Sequence, residues 1–287
     1  MPIGGQAVIE GVMLQHGHRV AVAVRTPTGE IVVEPVPAVA PFPRVERIPF
    51  LRGPIKLYQM LALGLRALQR SAELAYPEEA PGSRWGFAVT IILALVLLVG
   101  GFIVLPLYLA GLTRVGHPVL FNLVEGGIRV ALFFLYLYAI SFLRDIRRVF
   151  QYHGAEHKVV HAYEDGHGLS LAAARGKSPL HARCGTSFLL LFVVVAILVF
   201  SVVVTDSWWV RLAGRLLLLP VVAAVAYELL QLGGRYPHAW WLRPLLWPGL
   251  LLQRLTTREP ADDQLEVALA VLRYVTEDAA RSLSTTA

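Results

Sequence analysis

The chain has 287 residues, 56% of them hydrophobic and only 16% charged, with a mean hydropathy of +0.58. That is too apolar for an ordinary soluble domain of this size, so lipid is expected to cover much of it. The net charge of +6 could suggest a nucleic-acid partner, but the basic residues sit beside long apolar stretches, where they meet anionic headgroups, and no nucleic acid is expected.

The amino-terminal part reads as a small extramembrane module. Val and Ala alternate between Arg19 and Arg25, a Thr26-Pro27-Thr28-Gly29 turn follows, and then Ile31-Val32-Val33, which is a β-hairpin signature. Gln6 to Met13 is expected to add a strand, and the proline-rich stretch from Pro35 to Pro43 to be extended. Gly53-Pro54 opens a helix expected to run to about Leu74. Its many apolar residues and its cations Lys56, Arg66 and Arg70 suit the headgroup interface.

Four stretches of roughly 20 mostly apolar residues then match the length that a helix needs to cross about 30 Å of hydrocarbon. They run from about Trp85 to Leu112, Val119 to Leu143, Thr186 to Val204, and Trp208 to Leu232. More than eighty residues precede the first, so no cleaved signal peptide is expected. The connections Thr113 to Pro118 and Thr205 to Ser207 are poor in Lys and Arg. The long segment between the second and third spans holds Arg144, Arg147, Arg148, Lys158, Arg175, Lys177 and Arg183. By the positive-inside rule that segment and both termini face the cytoplasm, across the inner (plasma) membrane. Trp240 to Leu255, interrupted by Pro244 and Pro248, is expected to be re-entrant or to lie on the surface. Asp262 and Asp263 open a final amphipathic helix that packs on the cytoplasmic module.

The expected fold is therefore membrane α-helical, with about four transmembrane helices, interfacial helices and a cytoplasmic α+β module holding a small β-sheet. Residues 1–83 form the β-rich module and amphipathic helix, 84–254 the membrane region with a cytoplasmic loop at 144–185, and 255–287 the carboxy-terminal helix.

The chemistry concentrates between Tyr152 and Glu164. At about 100° per residue, His153, Glu156, His157, His161 and Glu164 share a helix face within roughly 140°. An i,i+4 His pair can chelate a divalent metal, and His153-Gly154-Ala155-Glu156-His157 fits H-x-x-E-H, in which the Glu accepts a proton from water. One ion cannot collect the whole set, because His153 and Glu164 stand about 16 Å apart along an unbroken helix. Either the first part alone binds, the helix breaks near Gly166, or His157, His161 and Glu164 form a second site. Downstream, His181 and Cys184 could complete the coordination and Arg183 could hold a phosphate or carboxylate. Cys184 is the one cysteine, so it forms no intramolecular disulfide, and it is either a thiolate ligand or a buried thiol.

Charges inside the spans are a separate signal. Glu125 and Arg129 are four apart on the second, while Arg211, Arg215 and Glu228 lie on the fourth; they read either as ion pairs or as a polar pathway. Gln6, Glu10 and Thr256 to Pro260 carry low functional weight.

Several separated motifs together resemble the YqhQ-like family, bacterial membrane proteins of unassigned function described as predicted metal-dependent enzymes. They are Gly4 to Met13, Pro49 to Gly53, Tyr152 to Lys158, Arg183 to Phe188 and Leu255 to Pro260, and they cover nearly the whole chain. The family pattern carries Pro where Ala182 stands here. The resemblance raises the importance of His153, Glu156, His157, His181 and Cys184 without naming a reaction.

Together these readings predict a metal-dependent hydrolase at the cytoplasmic membrane face. A divalent metal, zinc first, is expected on His153 and His157, with His181, Cys184 or Glu164 as further ligands and Glu156 handling protons. Expected partners are membrane lipids and a lipid-linked or membrane-protein substrate, and a homo-oligomer is compatible with the sequence. The competing classes are an ion-binding transporter or channel, and a membrane-protein assembly factor with a structural metal.

Overall fold

The computed structural model describes residues 3–38, 45, 48–78, 84–181, 184–203, 205, 207–236 and 243–284. Residues 39–43 of the proline-rich stretch, Ala182, Arg183, Val204 and Trp240 lie outside them.

Four strands form an antiparallel meander: β1 (Ile3–Val8), β2 (Gly11–His16), β3 (Arg19–Arg25) and β4 (Ile31–Pro35). The single strand expected over Gln6 to Met13 is instead two, β1 and β2. The chain reverses at Ile9 and Glu10, with Glu10 at φ 52°, and Gly5 pairs with Leu14 across the ladder. The period-2 alternation of these strands divides their side chains between two covered faces. Val8, Met13, Val20, Val22 and Val24 pack under α1 (Arg52–Ala75). Ile3, Val12, Leu14, Ala21 and Ala23 pack under α5 (Arg144–Glu164) and α10 (Asp262–Ser284). Each fully buried side chain of the size of Leu14 contributes about 1.5–3 kcal/mol. The amino-terminal strands, the middle segment and the carboxy-terminal helix thus share one core.

The apolar part is a set of helices. The first, 84–112, comprises α2 (Arg84–Val99), a π-helical turn (Gly100–Val104) and α3 (Leu105–Leu112); it is followed by α4 (Pro118–Ile140). Beyond α5 and the short α6 (Leu171–Arg175) come α7 (Gly185–Phe200), α8 (Trp208–Arg235) and α9 (Arg243–Thr256). Among the described residues, three stretches are long and apolar enough to cross a membrane: Ala88–Leu112, Pro118–Ile140 and Trp208–Gly233. The expected third span is shorter than the sequence suggests. Helix α7 stops at Phe200, where the Ser201 hydroxyl donates back to the Leu198 carbonyl at 2.6 Å, leaving 16 residues, or about 24 Å. Helix α9, at 14 residues, is shorter still and packs against α7, with Leu252 and Gln253 buried and Trp247 exposed.

The intraspan charges pair across helices. Glu125 of α4 binds Arg129 one turn on and Arg215 of α8, whose Nε lies 3.0 Å from its Oε1. All three are buried, and Arg129 Nε donates at 2.9 Å to the carbonyl of Phe102 in the π-helical turn. Glu228 pairs instead with Arg52 at the start of α1. Of the two accounts of these charges, the ion pair holds for Glu125, Arg129 and Arg215, which form a buried triad joining α4 and α8.

Candidate metal centre

Helix α5 runs unbroken to Glu164 and ends where Gly166 takes φ 70°, so its His and Glu residues keep helical spacing throughout. Two backbone carbonyls then decide which ring nitrogens are available. Nδ1 of His153 lies 2.8 Å from the carbonyl of Thr256, and Nδ1 of His157 lies 2.5 Å from that of Pro179. A carbonyl can only accept, so each Nδ1 carries the proton and donates, and each Nε2 is left with its lone pair. Carbonyl partners of this kind orient metal-binding histidines and raise their basicity.

Cys184, the residue before α7, brings the third donor. Its Sγ lies 3.2 Å from Nε2 of His153, so the thiol donates to that lone pair, while the Thr186 N–H donates to the sulfur at 3.4 Å. One donor atom from each of His153, His157 and Cys184 falls within 4.8 Å of the others, a group that could hold a metal ion.

Glu156 lies beside the group, with Oε2 3.6 Å from Nε2 of His157. Its other oxygen faces β1. A Cβ on Gly5 would lie 2.8 Å from the Met13 carbonyl oxygen and 2.9 Å from Oε1 of Glu156, so a side chain there would force the strand or the carboxyl to shift. Burial shapes the electrostatics. It pushes the Glu156 carboxyl up to about 8 and the Cys184 thiol up to about 11. Burial first, and the neighbouring His153, His181 and His161 after it, hold His157 down at about 3; burial lowers His153 as well. At neutral pH every member of the group is therefore uncharged in the metal-free chain. Two neutral imidazoles with their lone pairs exposed, a sulfur and a nearby carboxyl are the donor chemistry of a zinc-type cation, so these residues fit that ion.

The remaining predicted residues lie alongside. His181 meets Glu164 at 3.4 Å, and its ring stands 4.5 Å from that of His161 and 5.6 Å from that of His157. His161 turns Nε2 to the carbonyl of Leu180 at 2.9 Å. His181 and His161 extend the row of rings away from the triad, and Glu164 meets that row at His181. The sequence pattern does not reveal the parts that position the row. Gln253, buried in α9, clamps both the N–H and the carbonyl of His181, at 2.8 and 2.9 Å. Lys158, also buried, binds Glu259 and the carbonyl of Arg175, tying α6 and the segment after α9 to α5. A lone Gln in an apolar helix and a Lys next to His157 are the signals that could have marked them.

The family profile of proteins of unknown function termed DUF1385 matches residues 48–278, which include the triad and exclude the four strands. The chain belongs to the DUF1385 family. It is also 37% identical over 289 residues to the uncharacterized protein YqhQ of Bacillus subtilis (strain 168), an alignment covering 93% of this chain and 89% of that one. No solved structure matches it. The relationship agrees with the resemblance carried by the separated motifs, and neither description assigns a reaction, so the chemistry rests on the site.

Proposed function

We propose that this protein is a metal-dependent hydrolase of the cytoplasmic membrane face, with zinc on His153, His157 and Cys184 and Glu156 as the proton acceptor. The observation that carries the reading is the pair of carbonyl-held imidazoles, whose Nε2 lone pairs are left for a ligand, in a group with Cys184 whose donor atoms lie within 4.8 Å of one another beside a buried carboxyl. When bound, such an ion lowers the pKa of water beside it to about 7. Two histidines and a thiolate would hold such an ion with three protein donors, the number found in catalytic zinc sites. Glu156, desolvated and adjacent to His157, is neutral in the metal-free chain; a cation held beside it would favour its ionised form, in which it could take up a proton and pass it on. Placement at a membrane is supported by the three apolar helices. That the strands, α5 and α10 share one core supports putting both termini and the 144–185 segment on the same, Lys- and Arg-rich side.

The test separates ligand from proton carrier. Glu156→Gln is expected to keep its zinc and to lose turnover by about 10²-fold or more on whichever ester, peptide or phosphoester the wild-type chain cleaves, the contribution typical of a positioned acid–base group. Turnover at the wild-type rate in the zinc-loaded variant would overturn Glu156 as the proton carrier.

A further inference from the structure

Helix α1 has two apolar faces, and the sheet uses only one. Leu63, Ala67 and Ala75 are buried against β-strand valines, whereas Tyr58, Leu61, Leu65 and Leu68 on the other side are exposed, Tyr58 and Leu61 each at 57%. At 100° per residue those four fall within an arc of about 80° and extend about 15 Å along the helix. Ile48, Phe50 and Leu51, just before the helix, are exposed too. A contiguous apolar surface of this kind marks an interaction site.

Two observations say what covers it. The stripe borders the apolar helices, because Leu57, next to Tyr58, packs against the cluster formed by α7 and α8, and α8 exposes Leu217 and Val221. Of the helix's cations, Arg52 and Arg70 are paired with Glu228 and with Glu34 and Glu73, and Lys56 and Arg66 add positive charge that suits an anionic leaflet surface. Lipid fits both.

The helix also leads toward the triad, on the side about 80° round from Leu68 where Met60 lies. Met60, exposed on the same helix, places its methyl 3.9 Å from where a Cβ on Gly185 would lie, and Gly185 follows Cys184 directly. One turn on, Gly64 receives the side chain of Gln6, whose neighbour Gly5 opens the opposite face of β1 onto Glu156. We propose that the exposed stripe of α1 is a lipid-docking face, and that the substrate of the triad is an amphiphile whose acyl chain lies along Tyr58 to Leu68 while its polar headgroup enters past Met60. The substrate class rests on the hydrolase reading above; the docking face does not.

The full chain, reconstituted in vesicles of phosphatidylethanolamine and radiolabelled phosphatidylglycerol, tests this with the photocrosslinker benzoylphenylalanine at Leu61, Leu65 or Met60, and at the exposed turn residue Glu30 as control. Labelled lipid adducts are expected at the first three positions and not at Glu30. In the background Leu61→Glu, Leu65→Glu, the Met60 adduct should fall by about tenfold or more, since each 1.4 kcal/mol of lost apolar contact is a factor of ten. Zinc content should stay at the wild-type level in that background, which also reports an intact fold. Crosslinks only between two copies of the chain, or none at Leu61 and Leu65, would overturn the docking face. A Met60 adduct indifferent to the stripe would overturn the route to the triad. A chain that passes every lipid arm yet holds no zinc would remove the hydrolase reading and leave the docking face standing.

Discussion

Gly154→Ala is a one-carbon change that reaches the candidate metal centre through the backbone. Gly154 lies where the segment after α9 crosses α5, with the Arg258 N–H donating to the Phe150 carbonyl at 2.9 Å. A Cβ there would lie 2.0 Å from the carbonyl oxygen of Arg258, whereas ordinary contact begins at 3.4 Å, so the crossing must open by about 1.4 Å. Thr256, two residues before Arg258, holds Nδ1 of His153 at 2.8 Å. A displacement of that size passed along two residues takes the bond out of range, because contacts beyond about 3.5 Å no longer act as hydrogen bonds. Losing such an outer partner typically costs 10–100-fold in metal affinity, and overpacking typically costs about 1–3 kcal/mol in stability. Zinc competition against a chromophoric chelator measures the first, and thermal unfolding in detergent measures the second. A variant that folds and binds zinc with wild-type affinity would refute the claim that the Thr256 carbonyl positions His153.

Two further outcomes follow from the charges. Glu125→Gln removes the one carboxylate between Arg129 and Arg215 and leaves two buried guanidiniums without a counterion, so it should destabilise the helices by about 3–5 kcal/mol. Unfolding in mixed detergent micelles reads this, and a change below about 0.5 kcal/mol, the range of an ordinary exposed substitution, would mean that water reaches the triad. The hydrogen bonds from Arg70 hold the Glu34 carboxyl below its usual value, and that group joins β4 to α1. Because its folded value is depressed, its contribution is fully present above the unfolded value of about 4.3 and is lost as pH falls through the folded one. Hydrogen exchange in β4 should therefore be insensitive to this group from pH 7 down to about 4.3 and quicken below it; a β4-specific quickening that begins near pH 6 would contradict the pairing.

How much of this the sequence discloses depends on where the information sits. His153 and His157 are legible because i,i+4 spacing on an unbroken helix places two imidazoles on one face, and Cys184 because it immediately precedes an apolar run. The carbonyls of Thr256 and Pro179 are not, since a backbone acceptor has no sequence signature and both come from segments far from α5 in the chain. Glu125 and Arg129 announce themselves as a helical pair, yet Arg215, 90 residues away, completes the triad only through packing. The reversal at Ile9 and Glu10 hides because it lacks the Asn-Gly or Asp-Gly pair that marks most two-residue turns, with Glu10 itself taking the left-handed conformation. Helix α7 looks like a span in composition and falls short in length because Ser201 ends it.

The central claim, that His153, His157 and Cys184 form a zinc centre, is tested most directly by purifying the chain without metal-affinity resin and combining elemental analysis with X-ray absorption at the zinc edge. The account predicts about one zinc per chain, with two nitrogens at about 2.0–2.1 Å and one sulfur at about 2.3 Å, and loss of the metal in His153→Ala, His157→Ala. Wild-type protein with no bound metal, or a double variant that retains it, would contradict the account.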